Sequence, residues 1–172
     1  MALSSYRLSS AHRLFVGATF LASGVLGLVY QVLWMKELRL LFGSTAQATA
    51  TTLTAFFLGL ALGGWMAARM APRITNALRA YGWAEIGIAV SALFYFLIVG
   101  LYASMFPALY RALGNAPVSF LFVKFLLGVL LFLPAASFMG ATLPFLGQHV
   151  VSLRGEMGRN LSALYALNTL GA

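Results

Sequence analysis

Long apolar runs, separated by short polar segments, dominate the pattern of this chain. Four of them cover Leu14–Trp34, Gln47–Ala68, Trp83–Met105 and Val118–Phe138. Each is about as long as the ~20 residues that a helix needs to cross the hydrocarbon of a bilayer. The runs do not alternate between apolar and polar positions, which favours helices over a membrane barrel. The pattern predicts an all-α integral membrane protein with four full spans.

A fifth helical pattern runs from Gly158 to Ala172 and is only 15 residues long. This is short of a full span, so we expect it to be a partial fifth span and the chain to be part of a longer protein or a short relative of one. The architecture predicted is half of a transporter-like bundle. Its expected partners are lipid and other membrane helices, supplied by a missing C-terminal part, a second copy or a larger complex.

Composition narrows the chemistry further. Hydrophobic residues make up 62% of the chain, charged residues 8%, and mean hydropathy is +0.92, which excludes an ordinary soluble domain. The chain has no Cys and no Asp, so thiol chemistry, disulfides and a Ser-His-Asp triad are excluded. His12 and His149 have no ligand-type neighbours in the sequence, and we expect no metal, no cofactor and no catalysis.

The positions of the basic residues predict the orientation of the chain in the membrane. The net charge is +8, but the Lys and Arg residues sit at the ends of apolar runs and not in one patch, which does not favour nucleic acid. With the N-terminus in the cytoplasm of a bacterial-type inner membrane, seven would face inward and three outward. The inner set is Arg7, Arg13, Arg69, Arg73, Arg79, Arg154 and Arg159, and the outer set is Lys36, Arg39 and Arg111.

The stretch YQVLWMKELRLLFGSTAQATA (Tyr30–Ala50) places three charges among leucines. It predicts a short helix lying in the outer interface, ended by Gly43 and followed by a helix that Ser44 or Thr45 caps. We hypothesise that Glu37 on this helix pairs with Lys124, which lies inside the fourth run. The simpler interpretation is that the charges mark the exit from the membrane and that Lys124 snorkels outward.

Small residues recur at every fourth position of the second run. This predicts one helix face that lets another backbone approach closely, with a partner in the same chain favoured over a separate one. The residues are Thr51, Ala55, Gly59, Gly63 and Ala67.

Polar and helix-breaking residues inside the spans are the candidates for a binding site. Glu85 is either a proton or cation site or an acid at headgroup depth paired with an arginine of the cytoplasmic side. Gln31 and Asn168 either face a central cavity or hydrogen-bond between helices. Pro134 and Pro144 predict either a broken helix that lines a site or simple kinks.

Four segments resemble the N-terminal membrane domain of fused transporter-like/spermidine synthase-like proteins. They cover about half of the chain, in the order found in that family. They are SGVLGLVYQVLWMKELRLLFGSTAQATATTLTAFFLGLALGGWMAARMAPR (Ser23–Arg73), YGWAEIGIAVSAL (Tyr81–Leu93), LPAASFMGATLPFL (Leu133–Leu146) and LYALNTLGA (Leu164–Ala172).

The resemblance implies a membrane domain that anchors or serves an aminopropyltransferase-like partner domain, with transport of a polyamine-like cation as an extension. It draws attention to Tyr30 and Gln31, to the Phe-Gly-Ser-Thr element ending at Thr45, and to Glu85. The soluble catalytic domain itself is absent, because the sequence has neither its Gly-rich turn after a strand nor its acidic residues. Two alternatives remain open: half of a transporter, and a structural subunit held through the Gly59/Gly63 face.

Overall fold

The computed structural model describes residues 10–43, 45–154 and 157–171, and every long element in them is a helix. The five are α1 (Ser10–Phe42), α2 (Thr45–Met70), α3 (Ala77–Leu113), α4 (Pro117–Arg154) and α5 (Met157–Gly171). A single 3-10 turn, Ala71–Arg73, follows α2. The described residues contain no β-strand, so the predicted all-α class is confirmed.

Among the described residues, four helices are long and apolar enough to cross a membrane: Leu14–Leu40, Ala46–Arg73, Ala77–Leu113 and Pro117–His149. The number of such helices agrees with the prediction. Each is longer than predicted, because helix continues through the flanking polar residues until a glycine or a turn stops it.

The predicted interfacial helix after Trp34 is wrong. α1 is unbroken from Ser10 to Phe42, so Lys36, Glu37 and Arg39 lie on its last turns. No Gly or Pro lies between Trp34 and Gly43, which adopts a positive φ of 70° and ends the helix as predicted. Its N–H donates to the Arg39 carbonyl at 2.9 Å. The predicted cap at Ser44 or Thr45 lies outside the described side chains.

The prolines of α4 do not break it. Pro134 and Pro144 both lie inside one continuous helix, so the broken-helix interpretation is wrong. Proline is tolerated in apolar helices when neighbouring helices and Ser or Thr side chains satisfy freed backbone groups. Ser137 and Thr142, close to the two prolines, donate to the carbonyls of Leu133 at 2.8 Å and Met139 at 2.6 Å, and not to the Leu130 and Gly140 carbonyls that the prolines free.

α4 is the central helix of the bundle, and it packs on each of the other four. Its most extensive contact is with α2, through the small-residue face of that helix. A Cβ added at Gly59 would collide with Ala136, one added at Gly63 with the Ser137 carbonyl, and one added at Gly140 with the Leu60 carbonyl. The two backbones are therefore as close as glycine allows.

α1 and α5 form a second close pair. A Cβ at Gly24 would collide with the Asn168 carbonyl, and a Cβ at Gly171 with the Leu21 carbonyl. Unlike the face of α2, this seam was not predicted from the sequence, because its glycines do not recur at one fixed interval.

Candidate functional site

A cavity of about 440 Å³ lies between α1, α2, α4 and α5. Its apolar wall includes Phe20, Leu28, Phe56 and Leu60. The polar side chains on its wall come from three helices: Ser23 and Gln31 of α1, Thr142 of α4, and Tyr165 and Asn168 of α5. Gln31 and Asn168, which the sequence singled out separately, therefore line one site.

Glycines create the space for this cavity. Gly24 and Gly27 of α1, Gly64 of α2 and Gly140 of α4 all line it. Each leaves the cavity wall without a side chain, and at Gly24 and Gly140 the backbone of the neighbouring helix is so close that a Cβ would collide with it. Pro144 lies on the same wall.

Glu85 is joined to the cavity through Ser23. The Ser23 hydroxyl donates to the Glu85 carboxylate at 2.8 Å. Because this bond uses the hydroxyl proton, the Ser23 oxygen keeps its lone pairs as acceptors. The buried Tyr81 hydroxyl lies beside the same carboxylate, without a hydrogen bond of regular geometry.

The arginine pairing considered for Glu85 does not form. Within the described residues no ion pair joins Glu85 to Arg69, Arg73 or Arg79, and Arg69 instead lies over the ring of Trp65 at 4.1 Å. Glu85 is eight residues into α3, about 12 Å along the helix from its start at 1.5 Å per residue. Its side chain is half-buried, and the hydrogen bond from Ser23 shows that it faces α1.

Tyr30 belongs to an aromatic stack and does not line the cavity. Its ring stacks on Trp34 at 5.7 Å, Trp34 stacks on Phe132 at 4.7 Å, and Phe132 stacks on Tyr95 at 6.1 Å. Trp34, Tyr95 and Phe132 are buried and join α1, α3 and α4. The structure therefore gives Tyr30 a packing position beside the cavity residue Gln31.

The hypothesised pair between Glu37 and Lys124 is wrong. No ion pair connects them in the described part of the chain: the Lys124 ammonium lies 4.4 Å from the ring centre of Phe120 and 5.8 Å from that of Phe106. Glu37 turns instead toward the buried Tyr95 hydroxyl. The two charges share one end of the bundle, but they face different residues of α3, Tyr95 for Glu37 and Phe106 for Lys124.

Some predicted positions serve packing alone. Thr51, Ala55 and Ala67 are buried along the α2 face with Gly59 and Gly63. Thr52 donates to its own helix, at the Ala48 carbonyl. Neither Thr51 nor Thr52 lines the cavity. Pro134 lies on a separate apolar pocket between α2, α3 and α4.

Ser23, Thr142 and Tyr165 are the site residues that sequence reasoning missed. Ser and Thr are common inside apolar helices, so their presence alone gives no signal. The run Ser23-Gly24-x-x-Gly27 was the available clue, since small residues on one face indicate a close crossing. Among the described residues no group of three His, Cys, Asp or Glu side chains is placed to hold a metal.

Comparison with protein-family models, with curated proteins and with solved structures finds no match to this chain. In the described residues, the fold and site define a helical bundle that has four helices of membrane-spanning length and a cavity, with several polar side chains on its wall, between α1, α2, α4 and α5.

Proposed function

We propose that this chain is a multi-pass membrane domain, half-transporter-like, that binds a small cationic amine in the cavity between α1, α2, α4 and α5. The observation that supports this most directly is the Ser23–Glu85 hydrogen bond at the cavity wall. Carboxylates inside membrane helices are costly and mark ion or substrate sites by default. This one has no cationic partner among the described residues, so a bound cation would supply it.

The chemistry of the wall fits an amine with a methylene backbone. Amide oxygens of Gln31 and Asn168 and the Ser23 oxygen accept hydrogen bonds from ammonium groups, while Phe20, Leu28 and Leu60 contact methylenes. The volume falls within the ~300–1,000 Å³ usual for small-molecule sites. A polyamine combines these features, and the resemblance to the membrane domain of spermidine synthase-like fusions points to the same class. Anchoring or serving an aminopropyltransferase-like partner domain is part of this proposal.

The alternative of a structural subunit docked through the Gly59/Gly63 face has less support. Both glycines are buried and covered by α4 of the same chain. That face is therefore not free for another protein.

Binding of spermidine by the purified protein in lipid nanodiscs tests the proposal. We expect Glu85→Gln to weaken binding at least tenfold, because a charge ~6 Å from an ammonium contributes about 3 kcal/mol at an effective dielectric of 20. Gln31→Leu should weaken it several-fold through a lost hydrogen bond. Isothermal titration calorimetry measures both effects.

Glu37→Gln is the matched control, since this acid lies beside Tyr95 and away from the cavity. It should bind spermidine like the wild type. Absence of spermidine binding by the wild type, or equal loss in the Glu37 and Glu85 variants, would refute an amine site in this cavity.

Orientation is a separate prediction. We expect position 73 to face the cytoplasm and position 111 the outside, as the Lys and Arg distribution indicates. Because the chain has no native Cys, Arg73→Cys and Arg111→Cys each carry a single thiol for labelling with an impermeant maleimide on intact cells. Labelling at 111 but not at 73 is expected, and the reverse pattern would invert the topology.

A further inference from the structure

A second site lies on α4, formed by residues that do not line the polar cavity. An apolar groove of about 240 Å³ runs between α3 and α4, lined by Ile98, Leu101 and Met105 on one side and Val123, Leu127 and Leu131 on the other. Almost all of its lining is hydrocarbon apart from two side chains, Tyr102 and Lys124. Its aliphatic lining, on two adjacent helices, suits the hydrocarbon of an acyl chain.

Lys124 connects this groove to a polar pocket. The second pocket, about 420 Å³, lies between the start of α2 and the start of α4, and its lining includes Gln47, Pro117 and Lys124. Lys124 is the residue common to the two. An apolar groove and a polar pocket that meet at one ammonium group match the division of an amphiphile into tail and headgroup.

The charge of this junction is uncompensated. Lys124 is partly buried. In the described part of the chain, the only groups that offset its positive charge are the aromatic faces of Phe106 and Phe120. Pro117 begins α4 at the polar pocket, so the first backbone N–H groups and the positive end of the helix dipole lie there too. Both features attract an anion, and neither offers an acceptor to a choline group.

Tyr102 adds a hydrogen-bond donor to the wall of the apolar groove. Its hydroxyl is buried and has no hydrogen-bond partner among the described residues. Buried hydroxyls in folded proteins usually have a partner. An ester carbonyl at the head of an acyl chain would supply one.

We propose that the α3–α4 groove binds one anionic phospholipid, with an acyl chain along Leu101 and Leu127, the phosphate at Lys124, and the uncharged part of the headgroup in the pocket at the start of α4. This site is independent of the amine cavity, which is formed by other faces of the bundle. The proposed ligand is a phosphatidylglycerol-type lipid and not a free phosphate, since a free phosphate would leave the apolar groove empty.

Native mass spectrometry of the whole chain in detergent, titrated with phosphatidylglycerol or phosphatidylcholine, tests whether the charge of Lys124 selects an anionic lipid. We expect the wild type to retain one phosphatidylglycerol preferentially. Lys124→Gln should weaken phosphatidylglycerol retention about fivefold, the equivalent of ~1 kcal/mol at 1.4 kcal/mol per factor of ten. Phosphatidylcholine retention should not change. The matched control is Lys36→Gln, an exposed lysine of α1 at the same end of the bundle, which should behave like the wild type.

The groove is tested by a pair of tryptophan substitutions on α3. Leu101→Trp fills the groove and should weaken phosphatidylglycerol retention, whereas Leu97→Trp, at an exposed position outside its lining, should not. Circular dichroism and melting temperature identify any variant that fails to fold, and the Lys124 result then decides. Equal retention of the two lipids by the wild type, unchanged retention in Lys124→Gln, or equally strong binding of inorganic phosphate would overturn the proposal.

Discussion

Gly63→Ala is expected to destabilise the bundle strongly, although alanine is the better helix former. A Cβ at position 63 would collide with the carbonyl oxygen of Ser137 and lie 2.5 Å from its carbon, and both are backbone atoms of α4. A flexible side chain can move aside, but this neighbour is fixed by the helix itself. Overpacking in a core costs about 1–3 kcal/mol and occasionally more, and we expect the upper end of that range.

Gly100→Ala is the matched control for this substitution. Gly100 lies in α3, and a Cβ there would meet nothing within 4 Å. The higher helix propensity of alanine alone predicts a gain in stability of up to ~1 kcal/mol. Melting temperatures in detergent should therefore fall for Gly63→Ala and stay or rise for Gly100→Ala. If the two variants have the same melting temperature, α2 and α4 do not approach as closely as described.

Phe132→Ala is the second variant with a large expected effect. The Phe132 side chain is 1% exposed and lies between Trp34 of α1 and Tyr95 of α3. Truncation of a buried Phe costs about 3–5 kcal/mol in soluble cores. We expect about 3 kcal/mol here, because helices in a bilayer associate mainly through packing and gain little from the expulsion of water.

Phe122→Ala separates the loss of this stack from the loss of any aromatic residue. Phe122 lies on the same helix but is 61% exposed, and its truncation should change stability by no more than ~0.5 kcal/mol. Thermal unfolding of the two variants side by side measures the difference. A similar melting temperature for both would show that the three-helix stack contributes little.

The sequence predicted the helices well because hydrophobic length is a local property. Four helices of spanning length and the end of α1 at Gly43 can be read from one stretch of chain at a time. The predicted helix boundaries are wrong where charged residues or prolines lie inside a helix. Lys36 and Arg39 continue α1, and Pro134 and Pro144 remain inside α4, because packing against neighbouring helices outweighs these local signals.

The site was less predictable because it depends on which helix faces meet. Gln31, Asn168 and Glu85 are conspicuous as polar residues in apolar runs, and no further information is needed to single them out. Their arrangement is different: Ser23 connects Glu85 to the cavity across α1 and α3, and a sequence carries no register between helices. The Glu37–Lys124 hypothesis failed for this reason, since shared depth does not fix direction.

The two glycine seams have a mechanical consequence. α2 and α4 touch backbone to backbone at Gly59, Gly63 and Gly140, and α1 and α5 do so at Gly24 and Gly171. Such contacts resist sliding, so each pair should move as one rigid body. The cavity lies between these two bodies, which the chain joins twice, at the left-handed turn of Gly43 between α1 and α2 and again between α4 and α5. A change in the size of the cavity would then be a small movement of one helix pair against the other, with the interior of each pair unchanged.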